Sequence, residues 1–407
     1  MLRQVEARLL EAVDDGEVLK LAREMVRIPS ENPPGRVADM ARYVLSFLEG
    51  LGVVARTVEP EPGRVNVLAS LGSGSGRAGL VFNGHLDVVP AGPGWTVDPY
   101  GGMVQGGRLW GRGSADMKGG LAAILGAVAA LVRAKVAFER PVALMFTCDE
   151  ETGGKLGAGY LVRNGYVSGD MCVVCEPSGL RLIHAEGGLC WMTITTHGRS
   201  AHSVLAWRGV NAVEKMVQVL SALAPLQREL GAVRNASGKR VVLSANVIRG
   251  GVKVNQVPDA CEALLDLRIP AGVDLSAEQV LDRIRAVLAD LKMRDPELRV
   301  ELSHGDPVTP FEVPPDAPVI GLVKEAYRDV TGQECAPWSP REDPPTDDSD
   351  LYHLWTAGGI PGVYFGPGEI EQAHVADEFV EIEQLRQAAR IYALLAYRTC
   401  AKGGGVA

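Results

Sequence analysis

Residues 119–132 contain no charge and no proline, and they lie between Lys118 and Arg133. That run is shorter than the roughly 20 apolar residues a membrane span needs, so it predicts a helix buried inside a folded core. The segments around it alternate in type. Helical periodicity covers residues 6–26 and 40–51, and β-rich segments lie at 53–57, 65–71 and 80–82. Residues 142–147 read as a fully buried strand and 170–175 as another. Strands alternating with helices and ending in polar clusters predict an α/β layered architecture.

The pattern changes after Glu186. A strand at 189–196, a helix at 210–223, strands at 241–248 and 261–269, a helix at 277–291 and a strand at 298–302 follow in turn. That β-α-β-β-α-β order predicts a ferredoxin-like α+β unit. Helical periodicity resumes at 317–330 and 382–397. The expected organisation is therefore a first domain in two parts, 1–186 and 303–407, interrupted by an inserted domain at 187–302. The loop 336–350, rich in Pro, Asp and Glu, is long enough to be expected to carry function.

Composition excludes several classes. The 407 residues are enough for two or three domains, and 46% hydrophobic with 22% charged is ordinary globular usage. Gly 48 and Pro 25 are too few for a collagen-like or low-complexity chain. With 41 Lys+Arg against 50 Asp+Glu, the net charge of −9 makes a poor binder of nucleic acid or anionic membrane. The N-terminal residues have no apolar core of a signal peptide, and the odd count of seven scattered cysteines argues against a disulfide framework. A reducing cytoplasm is the expected location.

Five segments concentrate His, Asp and Glu at the ends of expected strands. In Asn83-Gly84-His85-Leu86-Asp87, period-two alternation puts His85 and Asp87 on one side, and a carboxylate beside an imidazole suits a metal ligand. Asp116, in Gly113-Ser114-Ala115-Asp116-Met117-Lys118, reads by itself as an N-cap to the apolar helix. Asp149-Glu150-Glu151 closes a buried strand, and three like charges there repel one another unless a cation neutralises them. Cys175-Glu176-Pro177-Ser178 ends another apolar strand, and Ala373-His374-Val375-Ala376-Asp377-Glu378 precedes the last helix.

Taken together, in this order, the five segments resemble the zinc-dependent aminoacylase/carboxypeptidase superfamily, which includes acetylornithine deacetylase and succinyl-diaminopimelate desuccinylase. The resemblance implies a three-layer catalytic domain, a central mixed sheet flanked by helices, with the inserted ferredoxin-like unit as lid and dimerisation domain. It also implies two divalent cations. His85 and Glu176 would be private to one, Glu151 and His374 private to the other, and Asp116 would bridge, followed by a cis Asp116–Met117 peptide. Asp87 would buttress His85, and Glu150 would be the general base that takes a proton from a metal-bridging water. Two divalent cations balance Asp116, Glu151 and Glu176 plus one hydroxide, which a partly desolvated site requires. Carboxylate and imidazole ligands suit zinc, and cobalt or manganese also bind such a set.

The same resemblance extends into the inserted domain. In Gly198-Arg199-Ser200-Ala201-His202-Ser203, where His202 reads by itself as a polar turn residue, it implies that His202 stabilises the oxyanion at the centre of a second subunit, and hence a homodimer. Asn255 and Arg268 look like substrate contacts, the guanidinium being suited to a carboxylate. Ser349 in Thr346–Leu351 and Gly366 in Gly366-Pro367-Gly368 fall where the family lines its substrate pocket.

Two features compete for attention. Cys172-Val173-Val174-Cys175 is a C-x-x-C, but it lies in an apolar strand rather than at a helix start, against a redox role. The glycines of 111–120 satisfy neither phosphate-loop pattern. His184, His197, His304 and His353 lack motif context and are expected to be structural or exposed. The expected function is amide hydrolysis of an N-acyl amino acid or a short peptide. A dipeptidase or carboxypeptidase on the same site is the alternative enzyme. A silent ligand-binding homologue would have lost a ligand or the base, and none is missing. Ala185-Glu186-Gly187-Gly188 carries no basic residue for a second substrate carboxylate, which weighs against a succinyl-specific enzyme.

Overall fold

The computed structural model describes residues 3–72, 76–336 and 350–403, which form two compact units. The first comprises the described residues up to His184 and from Val313 onward, and the second is Ala185–Glu312.

A six-stranded mixed sheet forms the centre of the first unit. Its strands run in the spatial order Ala55–Val58, Asn66–Leu71, Val142–Thr147, Leu80–His85, Cys172–Val174 and Gly362–Tyr364. The last four are parallel, and Asn66–Leu71 is antiparallel to both its neighbours. Parallel strands covered by helices on both faces read as continuous apolar runs, which is why 142–147 shows no alternation. The apolar run is the helix Gly119–Arg133, every residue of which from Gly119 to Leu131 is buried. It packs against the helices Asp15–Val26 and Ile382–Cys400.

Residues 6–26, read as one helical stretch, are two helices, Gln4–Glu11 and Asp15–Val26. The Asp14 carboxylate accepts from Gly16 N and Glu17 N, so it caps the second helix and ends the continuous reading. A small sheet of Met103–Gln105, Arg108–Trp110 and Phe379–Glu381 was not legible, its strands being only three residues each.

The second unit is a four-stranded antiparallel sheet with Gly188–His197 between Ala260–Ile269 and Arg299–His304, and Val242–Gly250 at the far edge. With helices Ala212–Leu230 and Ala277–Arg294 it has the β-α-β-β-α-β order of a ferredoxin-like unit. Alternation is visible here because one sheet face is buried against the helices: Cys190, Met192 and Ile194 lie in that core, whereas Trp191 is exposed. The unit begins at Ala185 and ends at Glu312, wider than 187–302, because Ala185–Glu186 pairs with Phe311–Glu312 and ties its two ends together.

All seven cysteines are free and buried. Burial pushes the Cys172 and Cys175 thiols well above their usual range, which suits packing and not redox exchange.

Candidate metal centre

Open α/β sheets place ligand sites at the carboxyl ends of their parallel strands, and the chemistry-bearing residues gather there. Leu80–His85 delivers His85 and then Asp87, Val142–Thr147 leads into Asp149, Glu150 and Glu151, and Cys172–Val174 leads into Glu176. The register levels these ends, pairing His85 with Thr147 and Asn83 with Val174. Asp116 stands in the turn that opens the core helix, and the Asp116–Met117 peptide is cis. His374 is brought in by the small sheet. Phe379 pairs with Trp110, so the segment before one strand meets the segment after the other.

Close backbone approach at this end requires glycine. A Cβ on Gly120 would lie 2.2 Å from the Cys175 carbonyl oxygen, and one on Gly366 would lie 2.3 Å from the same atom. Gly366 thus owes its identity to packing on the strand end, and its N–H donates to Ser178 Oγ at 3.1 Å.

Two ligand groups share one carboxylate. His85 Nε2 lies 3.0 Å from Asp116 Oδ1 and 3.5 Å from Glu176 Oε1. His374 Nε2 lies 3.3 Å from Asp116 Oδ2 and 2.9 Å from Glu151 Oε2. Asp116 therefore turns one oxygen to each imidazole. Within each group, His85/Asp116/Glu176 and Asp116/Glu151/His374, the ligand atoms lie within 4.8 Å of one another. Glu150 belongs to neither group, and its Oε2 is 3.9 Å from His85 Nε2.

The charges are crowded. Burial pushes the Glu150 carboxyl well above its usual value, His85 opposes this, and Glu176, Glu151 and Asp116 add to it. Burial likewise raises Glu176 to about 7 despite the neighbouring His85. Burial works against a charged His85, yet Glu176, Asp116 and Asp87 hold its pKa well above the usual value. His374 is raised to about 10 by its hydrogen bonds to Asp116 and Glu151. Glu176 Oε1 is buried and makes no hydrogen bond among the described residues. Two imidazoles, a carboxylate with divergent oxygens and an unsatisfied buried carboxylate oxygen fit a pair of divalent cations of the zinc, cobalt or manganese type.

The supporting contacts refine one expectation. His85 Nδ1 is 2.8 Å from the carbonyl oxygen of Asp87 and 3.5 Å from its carboxylate Oδ1, so the backbone is the nearer orienting acceptor. Asp87 Oδ2 instead accepts from Asn32 Nδ2 at 2.8 Å and Glu151 N at 3.3 Å. It thereby fixes the backbone of a ligand from the other group.

His202 and Asn255 meet in the second unit. Ala201–His202 pairs with Gln256–Val257, and Ser203 N donates to the Asn255 carbonyl at 3.1 Å. Both residues are exposed, and His202 Nδ1 accepts from Val204 N at 3.2 Å. Arg268 Nε is 3.0 Å from Asp266 Oδ1. Ser349 lies outside the described residues.

The sequence assigns no supporting role to several residues that hold the site. Asn32, which precedes two prolines, reaches both Asp87 and Thr152. Asp350 is fully buried and accepts from Asn83 Nδ2 at 2.8 Å and Thr147 Oγ1 at 2.5 Å, beneath the strand ends. His353, read as structural or exposed, is buried and lies 2.9 Å from the Gly153 carbonyl, holding the turn after Glu151. Lys118 is fully buried, donates to the Ile28 carbonyl at 2.8 Å and is lowered by burial to about 7.

The sequence pattern of peptidase family M20/M25/M40 matches residues 81–398. An acetylornithine deacetylase from Aliivibrio salmonicida is 32% identical over 369 residues, 89% of this chain and 92% of that protein. Among solved structures, the M20 family metallo-carboxypeptidase Sso-CP2 from Sulfolobus solfataricus superposes with a TM-score of 0.74 at 18% identity, over 93% of this chain and 98% of that one. The YXEP protein of Bacillus subtilis, a dinuclear metal binding peptidase from the M20 family, gives 0.65 at 17% identity, over 94% and 97%.

Proposed function

This chain belongs to peptidase family M20/M25/M40, a metal-dependent amidohydrolase or peptidase, and on that premise we propose that it cleaves the amide bond of an N-acyl amino acid. The observation that carries the reading is Asp116 facing His85 with one oxygen and His374 with the other, beside a carboxylate, Glu150, that joins neither group. His85, Asp116 and Glu176 would hold one divalent cation, and Asp116, Glu151 and His374 the second, with zinc the first choice. Cations so held supply a water of lowered pKa and polarise the scissile carbonyl.

Glu150 then moves the proton. Its carboxylate takes one proton from the attacking water as the acyl C–O bond forms, and returns it to the amide nitrogen as the C–N bond breaks. A base must hold that proton between the two steps, and burial at Glu150 favours the protonated form. Asp87 fixes His85 through its carbonyl and Glu151 through its carboxylate. His202, carried on the Gly198–Ser203 motif, serves as donor to the oxyanion across a homodimer, and Asn255, Arg268, Ser349 and Gly366 as substrate contacts. The relatives named acetylornithine deacetylase support a short acyl group, and the seven free cysteines fit a reducing cytoplasm.

The deciding experiment is a substrate panel of N-acyl amino acids and free-amine dipeptides, run after chelation and after zinc or cobalt add-back. Metal-dependent release of the acyl group is expected. Turnover that ignores chelation rejects the metal reading, and turnover of dipeptides alone assigns the site to a dipeptidase or carboxypeptidase. Mixing inactive H202A and E150Q chains should recover activity if His202 acts across subunits. No recovery places it elsewhere.

A further inference from the structure

His374 and Asp116 face one another across the more open group, yet they arrive on unrelated segments, and something must fix their separation. Glu378, four residues beyond His374, is fully buried and is used by none of the steps above. Its carboxylate accepts four hydrogen bonds. Oε2 takes Arg112 Nη1 at 2.7 Å and Gly113 N at 2.9 Å, and Oε1 takes Ala115 N at 2.8 Å and Asp116 N at 3.0 Å. Its carbonyl accepts from Gly111 N at 2.9 Å. Four backbone amides of the turn carrying Asp116 therefore end on one residue of the segment carrying His374.

That segment needs such anchoring. His374 and Asp377 have φ of +63° and +57°, in the left-handed region that non-glycine residues seldom adopt. The Asp377 carboxylate accepts from Thr96 N and Thr96 Oγ1, both at 2.8 Å, which pins one side of it. Glu378 pins the other.

We propose that Glu378 is a positioning residue that locks the Asp116 turn to the His374 loop and so sets the aim of the shared carboxylate and the exposed imidazole at their cation. The proposal rests on the two-cation reading above. A purely structural account would assign Glu378 to a buried ion pair with Arg112. The two accounts part at the backbone amides, which only the positioning role needs.

The test is zinc titration of the metal-depleted full-length chain by calorimetry, with the visible spectrum of the cobalt-loaded chain as a second readout. E378Q keeps one acceptor oxygen and exchanges the other for a donor, so it cannot serve both pairs of N–H groups. Zinc affinity should fall about 10–100-fold, as for loss of other groups that orient ligands, with a changed cobalt spectrum. R112M removes the ion pair and leaves three backbone bonds to Glu378. It should melt earlier but bind zinc at the wild-type level. Wild-type zinc affinity in folded E378Q overturns the proposal, as does an equal loss in R112M. Should E378Q not accumulate as folded protein, R112M/E378Q removes the unpaired charge and is read by the same criterion. A wild-type chain that binds two zinc ions and hydrolyses no acyl amino acid would remove the proposed substrate and leave this inference standing.

Discussion

His85 and His374 face the same carboxylate from opposite surroundings. His85 is 0% exposed at the end of a central strand, whereas the side chain of His374 is 53% exposed on a loop. The first inherits its position from the sheet, whose register fixes His85 opposite Thr147. The second lies on a loop five residues before the short strand Phe379–Glu381 and depends further on side chains reaching backbone, Asp377 to Thr96 and Glu378 to the Asp116 turn. Equal ligand chemistry can thus be held by packing in one half and by a hydrogen-bond clamp in the other. The halves should differ in how they fail.

Glu150 stands outside both halves, so it should fail differently from either. E150Q is expected to lower kcat about 10²–10⁴-fold while keeping two bound cations, measured by turnover and metal analysis on the same sample. Loss of a cation in that variant would place Glu150 among the ligands and dissolve the distinction.

Stability separates the halves next. In the metal-free chain at neutral pH H85A should cost about 2–3 kcal/mol in chemical denaturation, and H374A less, since its side chain is 53% exposed and its hydrogen bonds to Asp116 and Glu151 are partly screened by water. Equal costs would break the contrast between sheet-held and clamp-held ligands. Release of metal gives a third view. Under a stoichiometric chelator, one equivalent should leave about tenfold faster than the other, and the fast phase should vanish in H374A. Loss of the slow phase instead would reverse the assignment.

The last effect is a control on the helices Gln4–Glu11 and Ile382–Cys400, which carry none of the ligands. Burial opposes ionisation of Glu6, but Arg398, at 2.8 Å, and the Arg3 N–H hold its carboxyl below the usual value. A depressed carboxyl pKa adds stability that is complete above the unfolded value near ~4.3 and is lost as pH falls through the lower folded value. E6Q should therefore cost about 1 kcal/mol at neutral pH and progressively less in acid, with zinc affinity unchanged at both halves. An altered zinc titration would show that the clamp reports global stability rather than local aim.

Legibility followed the same physical divide. The inserted unit was readable almost strand by strand because one face of its sheet is buried against two helices, so alternation such as Trp191 outside Cys190 and Met192 is written along the chain. In the first unit the central strands Leu80–His85, Val142–Thr147 and Cys172–Val174 are buried on both faces, and the acids and histidines at their ends stand out as interruptions of apolar runs. His85, Glu151 and Glu176 were visible for that reason. Asp350 and Glu378 fall inside segments the sequence singles out, but their roles do not show there, and Asn32 carries no signal, since a polar residue in a turn or loop looks alike whether it faces water or a buried polar group. The unit boundary at Ala185–Glu312 escaped for a related reason, being set by a two-residue pairing too short to leave a pattern.

What the sequence by itself determined is the chemistry: which residue types end which apolar segments, and hence a layered α/β chain with an inserted α+β unit and a carboxylate–imidazole cluster calling for cations. Only the tertiary structure decided the pairing of Asp116 with both imidazoles, the choice of Asp87's carbonyl over its carboxylate as the nearer acceptor for His85, and the clamp from Glu378. Periodicity along a chain records which face of an element is buried. Contacts between segments hundreds of residues apart are set by strand register and loop closure, which no local pattern encodes.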